Sequence, residues 1–362
     1  MNRREFLSSA AAASIAGAGL LAFREQAFGA PQPTSKIRVG VIGTGHPHAA
    51  GKVAAIRDLS DYFELVGVVE PDAALRKTNG ALPEYQGVTW LDEEKLYATK
   101  DLQAVVVETK FLDLMPAAAR GVEHGLFVHL DKPPGSTVDE LAKLLAAAER
   151  NNVHVQMGYM FRNNPAFQLC YRAAREGWLG RIFELSTTMA TIRPAIRRKD
   201  LDEPAGGAMF DLGSHVIDSV VTVLGTPEKV TPFGRKLYSE QDEVVDNQLA
   251  VLEYSAALAT VRTAFVDPFA AERRQFVVSG ENGTLEIRPL EPPKVRLSLL
   301  VSAGGFAAGA HDVELPRIPG RYHGQLVDFA NIILGNAKPD WNAEHDLTVQ
   351  KVLLEASGMA KS

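Results

Sequence analysis

Between Ile37 and Ile42 the sequence gathers Val39, Val41 and Ile42 into a short apolar run that ends in Gly43-Thr44-Gly45. A run this short and this apolar reads as a buried strand. The glycines that follow let the backbone turn sharply and approach a ligand without side-chain clash. A second apolar run, from Leu65 to Val69, delivers Glu70. Strand, glycine turn and distant acid are the parts from which a parallel sheet builds a dinucleotide site. Unpaired N–H groups and the positive end of the next helix face the phosphates. Gly43, Thr44, Gly45 and His46 line the turn, and the Glu70 carboxylate is placed to accept ribose hydroxyls. An acid there repels a 2′-phosphate, so NAD is expected over NADP. The third glycine of the usual spacing is His48, and Pro47 before it suits a first helical turn.

The N-terminus reads as an export signal. Asn2-Arg3-Arg4-Glu5-Phe6-Leu7 precedes a small-residue apolar stretch from Ser8 to Ala22. Paired arginines before a short apolar run fit a twin-arginine signal over residues 1–30, followed by a linker over 31–35. The run is too short and too poor in large aliphatics to span a membrane. The expected location is therefore periplasmic or otherwise exported, with the twin-arginine machinery as a partner. That route carries folded, cofactor-loaded proteins, so a tightly held nucleotide restored within each cycle is expected. A net charge of −6 gives no basic footprint for nucleic acid. The single Cys170 excludes an internal disulfide and reads as a small buried hydrophobe on a helix.

Over residues 36–157 strands alternate with helices, the pattern of a doubly wound parallel sheet. Expected strands run from Ala104 to Val107, Leu126 to Leu130 and Val153 to Met157; expected helices run from Pro116 to Gly125 and Thr137 to Asn151. Residues 158–362 have a different rhythm. A strand from Ile182 to Thr191 and a helix from Met209 to Leu224 precede several alternating runs joined by turns such as Glu281-Asn282-Gly283-Thr284. The fold class is α/β: an N-terminal Rossmann domain plus a C-terminal α/β domain with a large open, mostly antiparallel sheet. Helices from Tyr322 to Leu334 and His345 to Ala360 are expected near the domain junction. An open sheet face also predicts a homo-oligomer.

Two stretches carry chemistry. Asp131-Lys132-Pro133-Pro134 follows a parallel strand, at the sheet end where ligands bind. Asp211 and His215 lie four apart on a helix and share a face, with Gly213 between them leaving room for a ligand. With Gly40-Val41-Ile42-Gly43-Thr44-Gly45, Gly206-Gly207 and the segment ending at Arg162, these motifs resemble the glucose–fructose oxidoreductase, inositol dehydrogenase and MocA family, Gfo/Idh/MocA. The resemblance spans nearly the whole chain after the signal. It implies NAD(P), a sugar or polyol substrate, and catalytic roles for Lys132, Asp211 and His215. A neutral imidazole suits removal of a hydroxyl proton, and a lysine lowers the basicity of the developing alkoxide; which of the two takes the proton stays open.

The sequence departs from the family pattern at Asp131 and at Thr109-Lys110, where the family has Glu and Thr-Pro; Thr109 and Asp131 are still expected at the cofactor. His46 and His48 are expected to meet pyrophosphate or substrate rather than a metal, because side chains two apart at a helix start diverge. Of the basic cluster Arg193, Arg197, Arg198 and Lys199, one arginine is expected to reach substrate, as is Arg162. Three functions remain: an oxidoreductase recycling its nucleotide in place, a redox-neutral glycosidase or lyase using transient oxidation, and a non-catalytic sugar- or nucleotide-binding relative.

Overall fold

A computed structural model describes residues 35–193, 206–237, 243–317 and 319–360. The twin-arginine segment and Arg197, Arg198 and Lys199 lie outside the described residues. The described residues form two compact units, one of residues 35–160 together with 319–354, the other of residues 161–317 together with 355–360.

The first unit is built on a six-stranded parallel sheet. Its strands are β1 (Ile37–Ile42), β2 (Phe63–Val69), β3 (Trp90–Leu91), β4 (Ala104–Val107), β5 (Phe127–Leu130) and β6 (Val155–Met157), in the order β3-β2-β1-β4-β5-β6. Every residue of β4 is buried, as a strand covered on both faces requires. Helix α1 (Ala49–Asp58) follows the glycine turn, and α2 (Ala73–Asn79) and α3 (Glu93–Tyr97) follow the next strands. The order reverses between β1 and β4, which opens a crevice at their carboxyl ends. Helix α4 covers Phe111–Glu123, so Pro116 lies inside the helix and not at its start. The carbonyl deprived of its donor belongs to the exposed first turn, near Leu112, where water can serve it. Helix α5 (Val138–Arg150) starts at a capping box in which Thr137 and Glu140 satisfy each other's backbone N–H.

The C-terminal helix His323–Ile333 and all but the last two residues of the helix Ala343–Ala356 belong to this first unit. Tyr322, Leu326, Phe329 and Ala330 join the apolar cluster of Val39, Val53, Ile56 and Phe63. The reason is apolar area: this face of the parallel sheet needs cover that α1 alone does not supply.

The second unit holds an eight-stranded sheet of β7 (Ile182–Ala190), β8 (Lys229–Arg235), β9 (Asn247–Glu253), β10 (Leu258–Ala264), β11 (Gln275–Gly280), β12 (Gly283–Leu290), β13 (Pro293–Leu299) and β14 (Gly309–Val313). Their order is β14-β13-β12-β11-β7-β10-β9-β8, and only β7 and β10 pair in parallel. Strand β8 contains Pro232 and Gly234, which hide it in the sequence; it is an edge strand, where a missing N–H is tolerated. Burial alternates along β9, as a sheet with one covered face demands. Helices α6 (Pro165–Arg175) and α7 (Ser214–Leu224) pack against each other. Cys170 is fully buried on α6.

Candidate active site

The glycine turn has the shape its residues predict. Gly43 has φ +88°, and a Cβ there would lie 2.5 Å from Thr109 Cα, so only glycine fits. Gly45 lies under the Lys110 side chain, whose Nζ reaches Asp72 Oδ2 at 3.3 Å on the far side of the turn. The α1 N-terminus carries no acid in its first turn, leaving its positive end to an anion. These features fit a dinucleotide pyrophosphate.

Glu70 sits at the end of β2 as expected, but it is already engaged. Its Oε2 accepts from Thr44 N and Thr44 Oγ1, both at 2.7 Å, and its Oε1 accepts from Asp72 N at 3.0 Å. Asn79 Nδ2 donates to Thr44 O and Oγ1. Glu70 therefore holds the turn in shape, and only the lone pairs these donors leave open can meet a ribose.

Asp131 has a different place from the one expected. It is fully buried, and its carboxylate is the centre of a polar cluster inside the first unit. Its Oδ1 accepts from Lys132 N at 2.7 Å, and its Oδ2 accepts from Lys52 Nζ at 2.9 Å and from His48 Nδ1 at 3.0 Å. Asp131 therefore positions the Lys132 loop rather than offering itself to the cofactor. Lys132 follows it, 2% exposed, and Gln350 Nε2 of the last helix donates to Gly135 O at 2.9 Å, bracing the same loop.

Three members of this cluster are absent from the sequence-based site. Lys52, 0% exposed, gives its ammonium to Asp131 Oδ2, to Glu108 Oε1 at 2.9 Å and to His129 Nε2 at 2.7 Å. Because His129 Nε2 accepts, its Nδ1 carries the proton and donates to Gln156 Oε1 at 2.7 Å. Gln156 Nε2 in turn donates to Asp328 Oδ2 at 2.8 Å. A lysine inside the apolar face of α1 and a glutamate ending an all-apolar strand are the sequence signals that point to this cluster.

Electrostatics in the cluster follows from burial and pairing. Burial opposes ionisation of Asp131, yet His46, His48 and Lys52 hold its carboxyl well below the usual carboxylate range. Burial and then the Asp131 charge push Glu108 up, against the pull of Lys52. Burial disfavours the Lys52 ammonium, but the two carboxylates outweigh it and raise its pKa. Burial lowers His48 to about 4, and burial together with Lys52 lowers His129 to about 3.

His46 and His48 converge, contrary to expectation. His46 precedes the helix, which begins at Ala49, so its side chain does not follow helical divergence. The rings stand edge to face, 4.6 Å apart between centroids, and both Nδ1 atoms face Asp131 Oδ2, at 3.4 and 3.0 Å.

In the second unit, Asp211 lies in a π-helical turn, Met209–Gly213, that precedes α7. Such turns are frequent at functional sites. Asp211 Oδ2 accepts from Arg193 Nη2 at 2.9 Å, and the Arg193 guanidinium lies 5.6 Å over the Phe265 ring. His215 is 2% exposed, edge-on to Phe161 at 5.9 Å. Gly213 leaves no open space for a ligand: a Cβ would meet Met209 Sδ at 2.6 Å, so glycine serves packing of the π turn. Arg162 is spent on a buried fork to Asp218, with Nη2 2.7 Å and Nε 3.1 Å from Oδ1. Asp218 lies one turn beyond His215, so Arg162 anchors the helix that carries it.

Residues 37–159 match the family described as oxidoreductase, NAD-binding Rossmann fold, and residues 167–286 match the GFO/IDH/MocA C-terminal domain. The chain belongs to the Gfo/Idh/MocA oxidoreductase family. YhhX of Escherichia coli, an uncharacterised oxidoreductase, is 26% identical over 221 residues, 60% of this chain and 62% of that protein. The matched stretch spans about three-fifths of such curated relatives. The aldose-aldose oxidoreductase of Caulobacter crescentus, solved with glycerol, shares the fold at a TM-score of 0.76 and 20% identity, over 90% of this chain and 98% of that one. WlbA dehydrogenase of Bordetella pertussis, solved with NADH and UDP-GlcNAcA, gives a TM-score of 0.71 at 19% identity, over 89% of this chain and 95% of that one. Among the described residues, no helix is long and apolar enough to cross a membrane.

Proposed function

We propose that this family member is an exported, NAD-dependent oxidoreductase that acts on a sugar, polyol or glycoside and keeps its nucleotide bound between turnovers. The observation that carries the reading is Glu70, a buried acid fixed at the end of β2 beside a turn that only glycine can make. A bound nicotinamide would accept hydride from a carbinol carbon. The Gly43–Gly45 turn and the α1 N-terminus would hold the pyrophosphate, and the Glu70 charge would repel a 2′-phosphate.

Lys132, held by Asp131 and almost wholly buried, would stabilise the alkoxide as its hydroxyl proton leaves. Asp211 would orient a substrate hydroxyl, with Arg193 fixing its rotamer. His215 would exchange a proton with the substrate hydroxyl. Sugar-related molecules named with the aldose-aldose oxidoreductase and WlbA support the substrate class. Residues 1–30 support export by the twin-arginine route, and the open sheet of the second unit supports a homo-oligomer.

The test is to purify the mature protein, release any nucleotide and identify it by mass, then screen sugars and polyols for reduction of the bound ring. Bound NAD reduced in place by at least one sugar is expected, with Lys132→Met abolishing reduction. Protein without nucleotide, or an unchanged Lys132→Met variant, overturns the reading.

A further inference from the structure

We propose that His46, His48, Asp131 and Glu108 form a binding site for one divalent transition cation of the zinc or manganese class. The ligand atoms of His46, His48 and Asp131 lie within 4.8 Å of one another. His46 Nδ1 lies 3.4 Å from Asp131 Oδ2 and 3.5 Å from Glu108 Oε2, and His48 Nδ1 lies 3.0 Å from Asp131 Oδ2. Ligands bound about 2.1 Å from one ion necessarily stand about 3.0–3.4 Å from each other. The His46–Asp131, His48–Asp131 and His46–Glu108 pairs already stand at about that spacing.

With His46 neutral, two acceptors in this cluster face each other, and a cation would join them. His46 Nδ1 accepts His48 N–H at 3.2 Å, so it carries a lone pair and its ring proton is on Nε2. That lone-pair nitrogen faces Glu108 Oε2, a fully buried carboxylate oxygen with no hydrogen-bond donor. An unsatisfied buried acceptor such as Glu108 Oε2 is costly. A cation there would satisfy it, with His46 Nδ1 turning its one lone pair from the His48 N–H to the ion. At His48, the ion would take the place of the ring proton that now bridges Nδ1 to Asp131, and the ring would ligate as the neutral tautomer protonated on Nε2.

Lys52 fits as an outer partner and not as a substitute for the ion. Its ammonium meets Asp131 Oδ2, Glu108 Oε1 and His129 Nε2, so it orients both carboxylates and leaves Glu108 Oε2 to the imidazole side. Ligating carboxylates are commonly held by such hydrogen bonds. An entry path exists on that side too: the His46 and His48 side chains are 9% and 13% exposed, whereas both acids are at 0%. Two imidazoles with two carboxylates and no thiolate select zinc, manganese or ferrous iron over calcium and magnesium. Through Asp131 Oδ1 and Lys132 N, the ion would tether the Lys132 loop.

The experiment reads metal and not activity, so its outcome is separate from that of the oxidoreductase assignment. The full chain is purified without chelator, its metals are counted by elemental mass spectrometry, and the protein is stripped and titrated with Zn2+, Mn2+ and Co2+. About one equivalent per chain is expected, with Co2+ giving a visible ligand-field spectrum. His46→Asn/His48→Asn should weaken binding at least a hundredfold while circular dichroism stays native. Glu108→Gln should weaken it about tenfold to a hundredfold, and His124→Asn, on the surface beside Tyr97, should leave it unchanged. Substoichiometric binding of all three ions, or equal binding by the double variant, overturns the site.

Discussion

Replacing Lys52 with methionine tests whether the buried cluster is held by charge or by packing. Methionine matches the length of the lysine stem, so the substitution removes the ammonium and little volume. The structure gives that ammonium three acceptors: Asp131 Oδ2 and Glu108 Oε1 at 2.9 Å and His129 Nε2 at 2.7 Å, all in fully buried residues. Relief of the lysine's own desolvation favours the variant. Against it stand two carboxylates left without a buried counter-ion, which must repel each other or take up protons. Removing one partner of a buried pair costs about 3–5 kcal/mol, and the second carboxylate places Lys52→Met at the upper end. For a unit of this size that corresponds to a fall of roughly 10–20 °C in melting temperature.

Glu108→Gln removes one of the two acids and leaves Lys52 and Asp131 paired one to one, so it should cost less than about 1 kcal/mol. The double variant completes a cycle. Because the side chains touch, it should be about 1–3 kcal/mol more stable than the sum of the single effects predicts. Calorimetry and urea unfolding of all four proteins in the presence of chelator measure this. If Lys52→Met melts with the parent protein, or if the two substitutions simply add, the cluster is not organised by this ion pair.

Gly43→Ala should destabilise the first unit by roughly 2 kcal/mol and abolish nucleotide retention, because φ +88° and the Thr109 backbone leave no room for a Cβ; mass analysis of co-purified nucleotide reads it. Arg162→Ala leaves Asp218 buried without its fork, at about 3–5 kcal/mol, measured as a lower urea midpoint for the second unit. Acidification should destabilise the first unit. His48 and His129 titrate at about 4 and about 3 when folded but near 6.5 when unfolded, so below pH 6.5 the unfolded chain binds the extra protons. Glu108, pushed up by burial, opposes this by at most one proton. A net loss of about 1.4 kcal/mol per pH unit is therefore expected between pH 6 and pH 5, and a urea midpoint unchanged over that range would contradict it.

Much of the fold is legible because local rules and tertiary demand agree. The apolar run ending at Val107 can only be a strand buried on both faces, and Thr137 with Glu140 writes a helix start into four residues. The glycine turn and Glu70 are legible for the same reason: a positive φ and an acid at a strand end leave few alternatives. Strand β8 fails the local rules because an edge forgives a proline that a central strand would not. The C-terminal helices show no sign in their own sequence of which unit they cover, since that choice depends on which sheet face lacks apolar cover.

The site divides along the same line. Sequence alone determined the nucleotide turn, the loop that carries Lys132, and the helix that carries His215, since each is a contiguous pattern with one backbone solution. Only tertiary structure decided that Lys52, Glu108, Asp131, His129, His46 and His48 meet. They come from a turn, a helix and the ends of two strands, and no spacing in the chain encodes that convergence. Tertiary structure also decided that Arg162 is held by Asp218. A charge can be buried only where another group compensates it, and folding, not sequence order, supplies that group.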